Sequence, residues 1–388
     1  MVIERLELNH FRNYEKLILF PHQGINIFFG QNGSGKTNLL ESIHYCSLGK
    51  SHRLTQDINA VRMGSEGSSC RLTVKSDLAR NELEIRLRPG EETVKTVYVN
   101  QKKVARLSEM MGVLRCVIFS PEDLSLIKDG PSVRRRFLDM MISQINRPYF
   151  IALQQYRAAM NQRSAILRQA RLENRPISPM IDDFEITMAQ YAKIICSERQ
   201  EISKQLADTG HMLYRRISDR DTEDFAVQYH GSVRWNQGDE FPMIRLLRES
   251  REDDLKLGTT SVGPHRDDLV LSLNRKPLKL YASQGQMRTA ALSLKLAQMK
   301  LFQQVTRDQP VLLLDDVMSE LDLRRRMNLL QVMDGVQTFI TCSDEGDLAS
   351  WQNHRTYEVV NPDGSGQISV VKQGPEMRRD EFREPSFS

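Results

Sequence analysis

The eight residues Gly30-Gln-Asn-Gly-Ser-Gly-Lys36-Thr37 constrain this chain more than any other stretch of it. They match G-x-x-x-x-G-K-[ST], and their flanks are of the matching kind. The apolar run INIFF precedes them, and NLLESIHYCSLG follows with apolar residues at helical spacing and a closing Gly49. A strand feeding a helix through such a loop turns backbone N–H groups inward at the helix start, where an anion is favoured. Lys36 would add a point charge at the β- and γ-phosphates of a nucleotide, and Thr37 a hydroxyl for Mg²⁺. A plain Gly-rich turn would explain the glycines but not the strand and helix around them.

A second stretch supplies the complement. VLLLDD at 311–316 reads as a buried strand ending in Asp315, placed to hold Mg²⁺ through water, with Asp316 beside it as a candidate general base. Alone, a buried strand ending in a solvated carboxylate is an equally good reading; the phosphate loop tips the balance. A third stretch, Ser283-Gln-Gly285-Gln286, lies just before the helical run MRTAALSLKLAQMKLF. Ser283 and Gly285 therefore sit at a helix N-terminus, favourable to an anion, although a simple serine cap is the commoner use of that position.

Organisation follows from length and pattern. With 388 residues the chain exceeds the usual single domain, and 40% hydrophobic with 27% charged residues fits a soluble protein with a real core. VIERLELNHF reads as a half-buried strand, and strand-like runs recur between about 70 and 119, separated by RPGEE and NQKK. The composition changes at Ser120-Pro121, and 132–218 is helical, broken by NRPISPM at 174–180. The expectation is an α/β fold: a head at 1–122 and 255–373 with a mixed sheet and an antiparallel β subdomain, a helical arm inserted at 123–254, and a disordered tail at 374–388.

Five scattered cysteines without CxxC spacing point to reduced thiols rather than disulfides or zinc, and the eight histidines show no ligand spacing. MVIERLELNHFRNY is neither signal peptide nor anchor, and no apolar run approaches bilayer length, so a cytoplasmic location is expected. The net charge of +4 is mild, but Lys128 to Arg175 holds ten Lys or Arg against three acids.

The order of these stretches resembles the ABC-type ATPases of the SMC group, where a signature loop precedes the acidic strand and a SALD-like loop follows it. The counterparts are Ala282-Ser283-Gln284-Gly285-Gln286, Asp315-Asp316 and Ser319-Glu320-Leu321-Asp322. A narrower resemblance is to the bacterial RecF family of recombination mediators. FRNY at 11–14, GQNGSGKTNLLESI, PEDLSLIKDGPSVRRRFLD at 121–139, TSVGPHRDDL at 260–269 and LLLDDVMSELD carry it in the family's order.

That resemblance implies a two-lobed SMC-like head without the long coiled coil, binding ATP and Mg²⁺ between two copies. Nucleotide would meet Arg12, Asn13, Gly30, Asn32, Gly33, Ser34, Gly35, Lys36, Thr37 and Asn38 from one copy, and Ser283, Gly285, Gln286 and Asp322 from the other. It further implies an ATP-driven homodimer on duplex or gapped DNA, working with RecR and RecO to load RecA. Slow, DNA-stimulated hydrolysis would then end the dimer. Asp316 stands where most ABC ATPases carry Glu, one methylene longer, which fits slow turnover; Ser343 stands where a switch His is expected. Independently of the family, Arg134, Arg135, Arg136, Arg157 and Arg163 form a candidate basic track for duplex backbone, with Arg53 a further candidate. A solvated helix face paired with acids elsewhere is an even alternative. The competing readings are the ATPase head of another SMC-like complex and a P-loop kinase. Against the kinase stand the Ser283 loop and SELD.

Overall fold

The structure, a computed structural model, describes residues 1–51, 53–54, 56–90, 93–218, 222–233, 235, 242–318, 326, 329, 333, 335–343, 354–362 and 370–377. In chain order the first elements are β1 (Val2–Phe11), β2 (Tyr14–Leu19), β3 (Ile25–Phe29) and α1 (Lys36–Leu48). There follow β4 (Ser68–Lys75), β5 (Arg80–Arg88), β6 (Val94–Val99), β7 (Lys102–Lys103) and β8 (Cys116–Phe119). β1 alternates buried and exposed residues, as half-buried strands must, and a register shift between Ile3 and Arg5 accounts for the slip in its pattern. The antiparallel sheet runs β2-β1-β4-β5-β6-β7.

The chain then enters a second unit with α2 (Ser125–Lys128), α3 (Pro131–Ile145), α4 (Arg147–Glu173) and α5 (Ile181–Ser218). Asn146 caps α4 by accepting the Tyr149 N–H, and Asn174 ends it in the left-handed conformation at φ 51°, where NRPISPM was expected to break the helix. β9 (Phe225–His230), α6 (Pro242–Glu249), α7 (Arg251–Leu257), β10 (Asp268–Leu273), β11 (Lys276–Pro277), α8 (Leu278–Tyr281) and α9 (Gln284–Thr306) follow.

The return to the first unit brings β12 (Val311–Asp315), β13 (Thr338–Cys342), β14 (His354–Val360) and β15 (Val370–Met377). These complete the central sheet, in the order β15-β14-β3-β13-β12-β8. Every pairing in it is parallel except β14 with β15. β12 and β13 are buried along their whole length, and β12 accordingly reads as an apolar run up to Asp315.

The chain divides into two compact units, Met1–Asp123 with Gln298–Ser388, and Leu124–Ala297. The outgoing crossing lies one residue from the expected 122/123. The return falls within α9 rather than at 254/255, because β9 pairs with β10 over Phe225–Leu273 and ties 268–273 to the helices. The tail expected from 374 begins inside β15, whose backbone pairs with β14 as far as Met377. Among the described residues no helix is long and apolar enough to cross a membrane.

Candidate nucleotide site

β3, β13 and β12 lie side by side, and the phosphate loop and Asp315 leave their carboxyl ends, the end of a parallel sheet where ligands bind. Register makes the site. Asp315 is opposite Thr341 on the neighbouring strand, and the Thr341 hydroxyl donates to Asp315 Oδ1 at 2.8 Å. The Thr37 hydroxyl donates to the same oxygen at 2.9 Å, so the two motifs expected to share a metal ion are already in contact. The Asp316 N–H donates to Thr341 Oγ1 at 2.9 Å, and Asp316 sits at φ 53°, which turns the chain out of the strand.

The loop itself is pinned from several sides. Gly30 has φ +145°, and a Cβ there would come within 2.2 Å of the Val359 carbonyl oxygen, so no other residue fits. The Tyr14 hydroxyl donates to the Gly35 carbonyl at 3.1 Å, Asn13 Nδ2 to the Ser34 carbonyl at 3.5 Å, and Asn38 Nδ2 to Asn13 Oδ1 at 2.8 Å. Asn361 Nδ2 reaches the Gly33 carbonyl at 3.4 Å. The FRNY stretch is therefore the brace behind the loop.

Lys36 folds over the loop and donates from Nζ to the carbonyls of Gly30, at 2.5 Å, and Gln31, at 2.9 Å. Burial lowers its ammonium from the ordinary lysine value, opposed by Asp316, Cys342 and Asp315. Burial likewise raises the Asp315 carboxyl, and the hydroxyls of Thr341 and Thr37 draw it back. A buried cation and a buried anion that both resist their charge suit a phosphate chain with a divalent ion. The cleft they line, about 280 Å³, is also lined by Arg12, Asn32, Gly33, Gly35, Asn38 and Arg53. A wider cleft of about 890 Å³ shares Arg12 and Asn38 with it and adds Asn13, Ile58, Arg62, Met63 and Pro89. The donor set fits the expected ligands: hard oxygens of Thr37 and Asp315 for Mg²⁺, and a glycine cradle with cations for phosphates.

In the second unit, Ser283 caps α9. Its Oγ accepts the Gln286 N–H at 3.2 Å while Gln286 Oε1 accepts the Ser283 N–H at 2.8 Å, a reciprocal capping box. Gln286 Nε2 also donates to Glu223 Oε1 at 2.9 Å. Ser283 is exposed and Gly285 half-buried. Ser319, Glu320, Leu321 and Asp322 lie outside the described residues.

Of the expected basic track, Arg163 is the member that burial removes. Arg163 is fully buried, with Nε on Glu185 at 3.0 Å and Nη1 on Asp254 at 2.6 Å, so it holds α4 to α5 and α7 and cannot reach DNA. Arg134 makes a two-pronged pair with Asp268 at 2.8 and 2.9 Å, and Arg135 donates to the Asp267 carbonyl at 2.6 Å. Arg157 pairs with Asp139 at 3.0 Å but remains 62% exposed, and Arg136 is exposed. Arg53 lines the phosphate cleft. Ser343 follows β13 and is exposed; Thr341, which no motif singled out, is the residue of that strand that lines the cleft.

The family model described as "RecF/RecN/SMC N terminal domain" matches residues 2–365. "DNA replication and repair protein RecF" of Clostridium perfringens is 35% identical over 364 residues, which cover 93% of this chain and 99% of that protein. This chain belongs to the RecF family. The solved structure of "the recombination mediator protein RecF-ATP in RecFOR pathway" superposes with a TM-score of 0.87 at 32% identity, over 96% of this chain and 98% of that one. The RecF-family fold extends to more distant heads. An Smc head domain of Pyrococcus furiosus matches with a TM-score of 0.54 at 15% identity over 96% of each chain, a likeness of fold alone. The ABC/SMC-like head with an inserted helical unit is thus the architecture of this chain.

Proposed function

We propose that this chain is an ATP-gated DNA-binding mediator of recombination and repair. The observation that carries the reading is the Thr37–Asp315–Thr341 contact, which joins phosphate loop and acidic strand into one site. The cleft of about 280 Å³ takes the phosphates, and the wider cleft that shares Arg12 and Asn38 takes the nucleoside. Thr37 and Asp315 would hold Mg²⁺, which would supply charge neutralisation at the terminal phosphates. Lys36 and the N–H groups of the loop bind and orient those phosphates, and Asp316, exposed at the cleft, holds a proton of the attacking water. Its short side chain reaches poorly, and turnover is slow.

The same site is completed by a second copy. The Ser283 hydroxyl accepts from its own helix, which leaves its O–H proton for an acceptor such as a phosphate oxygen at the N-terminus of α9. ATP then bridges two chains, the dimer closes on duplex DNA at gaps or junctions, and RecR and RecO act with it in loading RecA. Hydrolysis releases the dimer. The solved RecF relative carries ATP and belongs to the RecFOR pathway, which supports this reading. Fluorescence anisotropy on a gapped duplex tests it. Binding should be at least tenfold tighter with ATP and Mg²⁺ than with ADP or no nucleotide, and equal binding in all three states would refute the gate.

A further inference from the structure

We propose that Glu41 is a positioning residue for the triphosphate, setting both Arg12 and Arg53 at the phosphate cleft from one buried carboxylate. The proposal rests on the reading of that cleft as an ATP site.

Glu41 lies on α1, one turn after Thr37, and is fully buried. A buried carboxylate must be paired or hydrogen-bonded to be tolerated. Its two oxygens serve two different arms. Oε2 faces Arg12 Nε at 3.4 Å, an ion pair in which neither buried atom has a hydrogen-bond partner. Oε1 accepts the hydroxyl of Ser51, which is itself buried. The Ser51 oxygen in turn accepts the N–H groups of Arg53 and Leu54, both at 3.0 Å. One donated proton and two accepted backbone N–H groups fix the direction of that hydroxyl.

Both arms end at the cleft, since Arg12 and Arg53 line it together with Lys36 and Thr37. Among the described residues Arg12 is held elsewhere through Nη1, which donates to the Asn59 carbonyl at 2.9 Å, and through its backbone N–H, which donates to the Ala60 carbonyl at 2.8 Å. The guanidinium edge carrying Nη2 therefore remains for a ligand. The segment after α1 has its own strap: Lys95 Nζ donates at 2.7 Å both to the Gly49 carbonyl and to Asp57, and Asp57 accepts the Tyr45 hydroxyl at 3.0 Å. Loss of the Ser51 hydroxyl would thus loosen Arg53 without releasing the segment that carries it. The arrangement makes the helix that begins at the phosphates also aim the two guanidiniums that flank them.

The test is a pair of double-variant cycles on the full chain, reading the equilibrium Kd for a fluorescent ATP analogue with Mg²⁺, with thermal unfolding as a control. Ser51→Ala should weaken binding about tenfold, the size of one lost charge-assisted hydrogen bond. It should add nothing to Arg53→Ala in the double variant, because it acts through that arginine. Glu41→Gln keeps an acceptor for Ser51 but removes the charge facing Arg12, so it should weaken binding several-fold and add nothing to Arg12→Ala. Losses that add in full in either cycle, or an unchanged Kd in Ser51→Ala, overturn the proposal. Should Ser51→Ala not fold, the isosteric Glu41→Gln cycle decides alone. Lys36→Ala separates the two levels of inference. If it leaves binding intact, the cleft is not an ATP site; if it abolishes binding while the cycles are additive, only the positioning role of Glu41 fails.

Discussion

At the scale of single residues, the chemistry-bearing side chains were readable where a motif names them and hidden where a partner does. Lys36, Thr37 and Asp315 stand in the sequence as phosphate-loop and acidic-strand positions, and the structure brings all three to one cleft. Thr341 was invisible because its role comes from parallel register with Asp315, a pairing between residues far apart in the chain. Arg163 failed for the opposite reason. Its place in a basic run suggested a surface, but the acids that neutralise it, Glu185 and Asp254, come from α5 and α7. Removing it leaves Asp254 buried without its cation, while Glu185 keeps Arg251 on both oxygens. Arg163→Ala should therefore cost about 3–5 kcal/mol in urea unfolding and change DNA affinity only as far as the fold is lost. Full stability combined with weakened DNA binding would return Arg163 to the surface role.

At the scale of elements, hydrophobic period and turn chemistry located the strands and helices that frame the site. They could not show how GPHRDD works, and that segment proves to be an anchor. His265 Nε2 donates to the Thr260 carbonyl at 3.0 Å, so Nδ1 accepts from the Tyr156 hydroxyl at 2.8 Å. Gly263, at φ +123°, leaves room where a Cβ would lie 2.3 Å from that hydroxyl. Arg199 Nη1 donates to the Pro264 carbonyl at 2.6 Å, and Asp267 accepts from the Tyr229 hydroxyl. Burial lowers the His265 imidazole below its ordinary value of 6.5, with Arg266 and Arg135 adding to the effect. On acidification the unfolded chain takes up this proton first, so the stability is full above the ordinary value and is lost as pH falls towards the folded one. The urea midpoint of the helical signal in circular dichroism should fall over that window, and His265→Gln should flatten the fall. A midpoint with the same pH slope in both proteins would place the effect elsewhere.

At the scale of the whole molecule, the inserted helical unit was legible from the composition change at Ser120-Pro121, whereas its far boundary was not. The pairing of β9 with β10 extends the unit to Ala297, and strand pairing across dozens of residues leaves no local mark. The same holds for charge: of the ten cations set against three acids between Lys128 and Arg175, Arg134 is paired with Asp268 and Arg163 with Glu185 and Asp254, acids that lie far along the chain. Arg136 and Arg157 remain exposed there. The proposed ATP-driven dimer depends on the Ser283 loop acting on a partner's nucleotide. Sedimentation equilibrium with ATP and Mg²⁺, under conditions that block hydrolysis, tests this directly. The wild-type mass should double on adding ATP, while Ser283→Arg should still bind ATP as a monomer and stay monomeric. A wild-type chain that remains monomeric with ATP bound, or a Ser283→Arg chain that loses ATP as a monomer, would contradict the account.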